Sequence, residues 1–390
     1  MCIRDSSMSA DDNLSIGYAP YSSDFSAPGD RRRFVYYANN KAIDFEIAKP
    51  EKEYDIVYVT DGADITLWSR YDKSKAVIVY DLIDSYLATP VLSFYGLFRG
   101  LAKYLSGKHK YCQLNQKKSI ESMCRRADIV ICSTEEQKNH ISRYCDDVRI
   151  ILDVKSMYHN HRMTLQPKLK NNELNIAWEG VPHNIKSFTV IRDALSILSK
   201  QYQINLHLMT ALKYKKYMNK YVTRHTINEV KKYIDVNNVY LYQWNELTVS
   251  HISSACDFAV IPINSNDTMD NGKPEDKLLI FWLMGLPAVV SETPAHLRAM
   301  KGAGVSMACS STNDWVSTIK DIVENKTKRD QSAEKGFAYA SRVNSVEAIM
   351  SLWDDLFEDI KVLHNSRRRR RLEVNKQKDL SSTSLSEGTR

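Results

Sequence analysis

The sequence predicts an α/β protein with two domains, each built on a parallel, doubly wound sheet. Short apolar runs that are typical of buried strands alternate with helical patterns along nearly the whole chain. Because parallel strands are joined by crossover connections, this alternation favours parallel sheets that are covered by helices on both faces. The length of 390 residues suits two domains better than one.

The first predicted domain spans residues 14–165. Residues 34–37 form either a short strand or the start of a helix, and residues 115–126 have the spacing of an amphipathic helix. The polar stretch 159–172 has no periodicity and is predicted to be an interdomain linker. The predicted strands are residues 43–47, 55–59, 76–80, 128–132 and 148–152.

The second predicted domain spans residues 172–344. Its predicted helices are residues 187–201 and 247–255, with a basic helical region between the second and third strands. An amphipathic helix at residues 345–365 ends the folded part of the chain. The predicted strands are residues 174–178, 204–209, 239–243, 257–263 and 288–291.

Residues 271–291 are the most informative stretch of this domain, because they predict a strand–helix–strand unit with an anion site. Pro274 suits the first turn of the helix, Glu275 and Asp276 suit the positive end of its dipole, and Gly285 suits its C-terminal end. The preceding loop lies at the carboxyl end of a strand, where parallel sheets bind ligands. Lys277 should lean back toward that loop and neutralise a phosphate.

The run Pro274, Lys277, Gly285 and Pro287 resembles the late nucleotide-sugar motif of GT-B type glycosyltransferases. More narrowly, it is similar to the retaining group called glycosyl transferases group 1, which is family 4-like. The two glutamates that this group usually carries are replaced by Gly272 and Ile280. The resemblance implies two Rossmann-like domains that face a cleft, with the final helix crossing back to the first domain. It also implies retention of the anomeric configuration.

The same resemblance implies which residues of the second domain bind the donor. The loop formed by Gly272, Lys273, Pro274 and Glu275 would contact the sugar or the nucleotide. Gly180, directly after the first strand of this domain, and Lys186 match a glycine and a lysine six residues apart that bind the diphosphate in the family. The arginine that follows the glycine there is Val181 here. With Lys277, Lys186 would oppose the charge that develops as the nucleotide leaves.

Two places in the first domain suit the acceptor. Asp81 and Asp84 follow a predicted strand, and a carboxylate there could bind an acceptor hydroxyl or act as its base. A helix cap and a solvated charge explain them equally well. Gly29 and Asp30 lie in the predicted first loop after a strand, next to the basic run 31–33, which either lines the cleft or is simply solvated.

The positive charge is concentrated at the C-terminus. The chain has a formal net charge of +7, and residues 366–390 contribute +5 of it with eight basic and three acidic residues. Low apolar content predicts that this tail is disordered. A basic tail, together with the aromatic and basic residues of 89–111, suits an anionic membrane surface. A core helix with a solvated face explains residues 89–111 as well.

Other features narrow the class of protein. No apolar run is long enough to span a bilayer. Residues 1–13 are predicted to be a leader that is disordered or read through from a sequencing adapter. The seven cysteines include no C-x-x-C pair, so we expect core thiols in a reducing cytoplasm, with no metal and no cofactor. Nucleic acid is not expected as a partner, because the basic charge is confined to the tail.

These observations predict a glycosyltransferase that moves a sugar from a nucleotide-diphosphate donor to a glycan or a lipid-linked acceptor. Assembly of surface polysaccharides, in the cytoplasm or at the inner face of the membrane, is the expected setting. A nucleotide-sugar epimerase is the alternative within the fold, because it uses the same two-domain cleft. A non-catalytic binding protein is the other alternative, which the missing glutamates leave open.

Overall fold

The computed structural model describes residues 14–72, 74, 76–88, 101–155, 158, 172–216 and 222–387. Its strands form two six-stranded parallel sheets and one antiparallel hairpin. The strands are β1 (Ile16–Ala19), β2 (Glu46–Ile47), β3 (Ile56–Thr60), β4 (Val77–Asp81), β5 (Ile129–Cys132), β6 (Val148–Ile150), β7 (Glu173–Glu179), β8 (Gln203–Thr210), β9 (Lys213–Lys216), β10 (Val222–His225), β11 (Asn238–Gln243), β12 (Phe258–Ile261), β13 (Ala288–Ser291) and β14 (Ala308–Cys309). The fold class predicted from the sequence, two doubly wound parallel sheets, is confirmed.

Helices connect these strands. They are α1 (Pro28–Arg31), α2 (Phe34–Lys41), α3 (Ile65–Trp68), α4 (Gln116–Arg126), α5 (Glu135–Ile141), α6 (Arg192–Leu198), α7 (Thr226–Tyr233), α8 (Glu246–Ser254), α9 (Thr268–Asn271), α10 (Asp276–Leu283), α11 (Pro294–Ala303), α12 (Thr312–Glu324), α13 (Lys326–Val343) and α14 (Val346–Glu387). Two 3-10 helices add to them, Tyr86–Ala88 and Pro182–Val190.

The strand order places a reversal in each sheet. The first sheet runs β2-β1-β3-β4-β5-β6, so the order reverses between β1 and β3. The second runs β11-β8-β7-β12-β13-β14, and its order reverses between β7 and β12. Ligands of doubly wound sheets bind at such reversals, outside the carboxyl ends of the strands. Every residue of β3 and β4 is buried, as expected for parallel strands with helices on both faces.

The strand–helix–strand unit predicted at residues 271–291 is present. β12 and β13 pair in parallel, and α10 lies between them in the chain. Gly285 follows the helix with φ 74°, while its N–H and that of Leu286 donate to carbonyls of the last turn. The helix begins at Asp276 with Glu275 at the N-cap, so the prediction that Pro274 opens it was wrong by two residues.

The final helix α14 crosses back onto the first domain, as expected. Trp353 and Phe357 pack with Phe34 and Tyr58 in the core on one face of the first sheet. The helix continues through Glu387. The expectation of a disordered tail is therefore corrected as far as Glu387. Among the described helices, none is both long and apolar enough to cross a membrane.

Of the two interpretations of residues 34–37, the start of a helix is confirmed, because α2 begins at Phe34. Two further predictions of local structure differ from the observed structure. The region between β8 and β11, predicted to be helical, begins with the β9–β10 hairpin, whose β-branched and aromatic residues favour strands. The helix predicted at 187–201 is a 3-10 helix followed by α6.

Candidate functional site

The carboxyl edges of the two sheets face each other, and polar contacts join them. Arg31 donates to Glu246 at 2.5 Å, Arg298 forms a two-pronged pair with Glu136, and the buried Lys155 pairs with Asp276 at 2.6 Å. The interdomain cleft of this protein is therefore bounded by the reversal points of both sheets.

Lys277 is anchored at the reversal of the second sheet. Its Nζ lies 2.6 Å from Oε2 of Glu179, the last residue of β7. The side chain of Lys277 is 33% exposed and that of Glu179 is 12% exposed. An ammonium group has three donors and Glu179 uses one, so the remaining donors can bind an anion at the mouth of the cleft. Glu179 was not singled out from the sequence, although a carboxylate that ends an otherwise apolar strand was a usable signal.

Gly180 follows the first strand of the second domain and Lys186 lies in the next helix, as predicted from the sequence, but the structure gives the two residues different roles. The N–H of Gly180 donates to the carbonyl of Met209 at 3.3 Å and so belongs to the sheet. A Cβ at position 180 would lie 2.7 Å from the ring of Trp178, which explains the glycine by packing. Lys186 is exposed within the 3-10 helix that follows and presents its charge at the same edge.

The loop before α10 packs against the first domain. The carbonyl of Gly272 accepts from Thr134 Oγ1 at 3.3 Å, and a Cβ on Gly272 would lie 2.2 Å from Ser85 Oγ. Lys273 pairs with Asp270 at 2.6 Å. The glycine of this loop is thus required by close contact between the two domains.

Glu275 is the other predicted member of this loop and lies at the N-cap of α10. Burial raises the pKa of its carboxyl, and Asp276 raises it further. Arg298 and Lys155 act in the opposite direction. Pro274 precedes the helix and is half-buried.

Charged groups of both domains converge on His183, which the sequence analysis missed. His183 is exposed at the surface. Partial desolvation lowers its pKa, and the charges of Lys273 and Lys186 lower it as well. Asp270 and Asp84 act in the opposite direction. Asp84 of the first domain therefore lies within electrostatic reach of the cationic edge of the second. His183 lies three residues after Gly180, next to Pro182, and a titratable residue so close to the end of the strand was the available signal.

Asp81 does not lie open to the cleft. It is fully buried, and its two oxygens accept from Arg33 at 2.7 and 2.8 Å. The hydroxyl of Tyr58 donates to it at 2.7 Å. Arg33 is itself fully buried and also donates to Asp153. This arrangement does not favour the expected role of Asp81 in catalysis. Because Arg33 is buried, the interpretation of residues 31–33 as a solvated basic run is wrong for Arg33.

Asp30 holds the first loop of the chain in place. Its buried carboxylate accepts from the Tyr18 hydroxyl at 2.5 Å, from the N–H groups of Tyr21 and Ser22 and from the Ser22 hydroxyl. With all of these donors engaged, Asp30 shapes the loop rather than facing a ligand. Gly29 beside it lines a cavity, and a Cβ there would lie 2.4 Å from the Tyr21 ring.

That cavity lies at the carboxyl edge of the first sheet and has a volume of about 330 Å³. Asp84 lines it, together with Asp61 and His109. Neither Asp61 nor His109 was predicted from the sequence. Within the described part of the chain, no group of three or more His, Cys, Asp or Glu side chains has the arrangement of a metal site.

No family model matches the chain, and no curated protein matches it. Solved structures do. HepE from Anabaena, in complex with UDP and glucose, is similar over 88% of this chain and 99% of its own, with a TM-score of 0.60 and 12% identity. An α-glucosyltransferase in complex with UDP and DNA matches over 90% and 100%, with a TM-score of 0.55 and 12% identity.

Sucrose-phosphate synthase from Thermosynechococcus elongatus is a third similar structure. It covers 80% of this chain and 74% of its own, with a TM-score of 0.53 and 13% identity. The chain has the GT-B fold. At these identities the likeness shows the fold alone.

Proposed function

We propose that this GT-B protein is a glycosyltransferase that moves a hexosyl group from a nucleoside-diphosphate donor to a glycan or a lipid-linked acceptor. One observation carries the proposal. Lys277 is held by Glu179 at the reversal of the second sheet, with Lys186 on the same edge, and Asp84 of the first domain acts electrostatically on His183 of this edge. Cations at that place oppose the charge of a leaving diphosphate, which is a major source of catalysis in glycosyl transfer.

The similar structures support the choice of donor. HepE was solved with UDP and glucose and the α-glucosyltransferase with UDP, so UDP and UDP-glucose are the first ligands to test. The resemblance of the late motif implies retention of the anomeric configuration. The paired glutamates of that group are absent from this chain, so the proposal does not specify retention or inversion. The anomeric configuration of the product distinguishes the two.

The experiment is an assay of UDP-sugars with and without a panel of oligosaccharides and polyprenyl-phosphate sugars. A transferase releases UDP and extends an acceptor. An epimerase would instead convert the UDP-sugar to its epimer without releasing UDP, and a binding protein would bind it unchanged. Either of the last two results contradicts the proposal.

We further propose that the enzyme works in the cytoplasm at the inner face of a membrane, in the assembly of surface polysaccharides. The cysteines that the structure describes are all free, and five of these six are buried, which suits a reducing compartment. Arg369, Arg370 and Arg371 are exposed on α14 and can attract anionic lipids. Phe94 and Phe98, which were expected to insert into lipid, lie outside the described residues.

A further inference from the structure

The cavity of about 330 Å³ at the first sheet is lined by titratable side chains that take no part in the proposed diphosphate site. It lies at the ends of β1, β3 and β4, where the strand order of this sheet reverses. Asp61 directly follows β3, and its N–H donates to the carbonyl of Asp81 at 3.0 Å. Asp61 is therefore held in place by the sheet itself, on the wall of an open, polar cavity.

His109 provides the second observation. Its side chain is only 3% exposed and lines the cavity, yet its Nδ1 has no hydrogen-bond partner among the residues that the structure describes. A buried polar atom without a partner lowers the stability of the folded protein. A ligand hydroxyl in the cavity would supply the missing partner.

His109 is neutral at pH 7. Its pKa is lowered to about 4, chiefly by burial and also by Lys103 and Lys108, while Asp64 acts in the opposite direction. A neutral imidazole nitrogen can donate to or accept from a hydroxyl, depending on its tautomer. It offers no charge to a phosphate or a carboxylate.

Asp61 changes charge close to neutral pH. Its pKa is raised to about 7, chiefly by burial and also by the charges of Asp84 and Asp81. The Tyr21 hydroxyl and Lys103 act in the opposite direction. A carboxylate of this kind binds a hydroxyl most strongly when it is ionised, and its state is set by the groups that surround the cavity.

We propose that this cavity binds one sugar ring of the acceptor, that ionised Asp61 accepts the hydrogen bond of the attacking hydroxyl, and that His109 binds a neighbouring hydroxyl. The inference rests on the proposed transferase function and names the part of the acceptor that the first domain recognises. The lining is polar, with two carboxylates, the ammonium groups of Lys103 and Lys108, tyrosine hydroxyls and an imidazole. Hydrogen-bonding groups of this kind match the many hydroxyls of a sugar ring and not a lipid chain.

The test measures binding to each side of the cleft separately in the full-length protein. Calorimetry with UDP reports the donor side. Saturation-transfer NMR with the methyl glycosides of glucose, galactose, mannose and N-acetylglucosamine, in the presence of UDP, reports the cavity. If the wild type fails to bind UDP, the proposed function fails. If it binds UDP but no glycoside, the function stands and this inference is overturned.

Variants test the roles proposed for Asp61 and His109. Asp61→Asn should weaken glycoside binding at pH 8 at least tenfold and leave UDP binding unchanged, whereas Asp44→Asn, an exposed carboxylate of the same domain, should change neither. His109→Phe removes the nitrogen while keeping a ring, so we expect weaker glycoside binding with an unchanged or higher melting temperature. Wild-type glycoside affinity in both variants would overturn the assignment.

The pH profile separates hydrogen bonding by Asp61 from a purely structural role. Wild-type glycoside affinity should rise between about pH 6 and 8 as Asp61 ionises. The profile of Asp61→Asn should be flat. In Asp84→Asn the rise should move to lower pH, because a neighbouring negative charge has been removed. A flat wild-type profile, or one that is the same in all three proteins, would contradict the role of Asp61.

Discussion

The ammonium group of Lys277 lies 2.6 Å from the carboxylate of Glu179 across the reversal point of the second sheet. The first belongs to the helix after β12 and the second to the end of β7, so two separate connections of the sheet place one cation at the mouth of the cleft. The carboxylate fixes the lysine in position before any ligand arrives.

We expect Lys277→Ala to weaken UDP binding by roughly 1.5–3 kcal/mol, the range for a hydrogen bond to a charged group. The folded state should hardly change, because the pair is partly solvated. Titration calorimetry measures the difference, with Lys301→Ala on the exposed face of α11 as the matched control. Equal UDP affinity in wild type and Lys277→Ala would remove this lysine from the site.

Lys186→Ala should also weaken UDP binding, but less than Lys277→Ala. Lys186 is exposed, so solvent screens its charge more strongly. The same calorimetric titration, repeated at low and high salt, should show a loss for Lys186 that shrinks as salt is added. A loss greater than that of Lys277→Ala would reverse the order of the two lysines.

Asp81→Asn should destabilise the protein by roughly 3–5 kcal/mol, because it leaves the buried guanidinium of Arg33 without its main partner. Urea denaturation measures this change. Asp84→Asn is the control: it lies at the cavity and should change the free energy of unfolding by no more than about 0.5 kcal/mol. A stable Asp81→Asn variant that had lost turnover would restore the catalytic role expected from the sequence.

Asp61→Asn should stabilise the free protein at alkaline pH. The pKa of Asp61 is about 7 in the folded protein, against an ordinary value of 3.8, so folding favours its protonated form. The stability from this group is complete below about pH 4 and is lost as the pH rises through about 7. The melting temperature of Asp61→Asn should therefore exceed that of wild type by a margin that grows from about pH 5 to pH 8. A constant margin would show that Asp61 does not titrate in this range.

The exposed arginines of α14 should bind anionic vesicles. Arg367 is already engaged with the first domain, where it donates to Asp128 and to the carbonyl of Ala76. Arg369, Arg370 and Arg371 are exposed, as is Arg368. Successive helical residues point about 100° apart, so these side chains cannot all face one flat surface. Each basic residue near an anionic leaflet contributes about 1 kcal/mol.

Co-sedimentation with phosphatidylglycerol and phosphatidylcholine vesicles tests this attachment. Wild type should pellet with the anionic vesicles only and be released by salt, and the variant with Arg369, Arg370 and Arg371 changed to glutamine should stay in the supernatant. Arg367 is left intact so that the helix remains docked. Equal behaviour of both proteins would contradict attachment through these arginines.

Local signals predicted the frame of the fold well. Runs of apolar residues identified most strands, the amphipathic helix predicted at residues 115–126 is α4 with Asn115 at its N-cap, and Gly285 follows α10 in the left-handed conformation. The start of α10 was predicted too early, because proline is compatible both with the first turn of a helix and with the extended chain just before the helix begins.

The electrostatics of the site could not be predicted in the same way. Asp81 is buried because Arg33, forty-eight positions away in the chain, reaches it through the folded core. Asp61 resembles a turn residue in the sequence, and only the packing of β3 beside β4 brings the charges of Asp81 and Asp84 near it. Such environments arise from contacts between distant segments, which periodicity and capping do not encode.

The central claim, a diphosphate site at the reversal of the second sheet, is tested most directly by a thermal-shift screen of nucleoside diphosphates and their sugars. We predict that UDP or a related nucleoside diphosphate raises the melting temperature in a saturable manner, and that Lys277→Ala greatly reduces this shift. If no nucleoside diphosphate or nucleotide-sugar changes the melting temperature of the wild type, or if the shift is undiminished in Lys277→Ala, the account is contradicted.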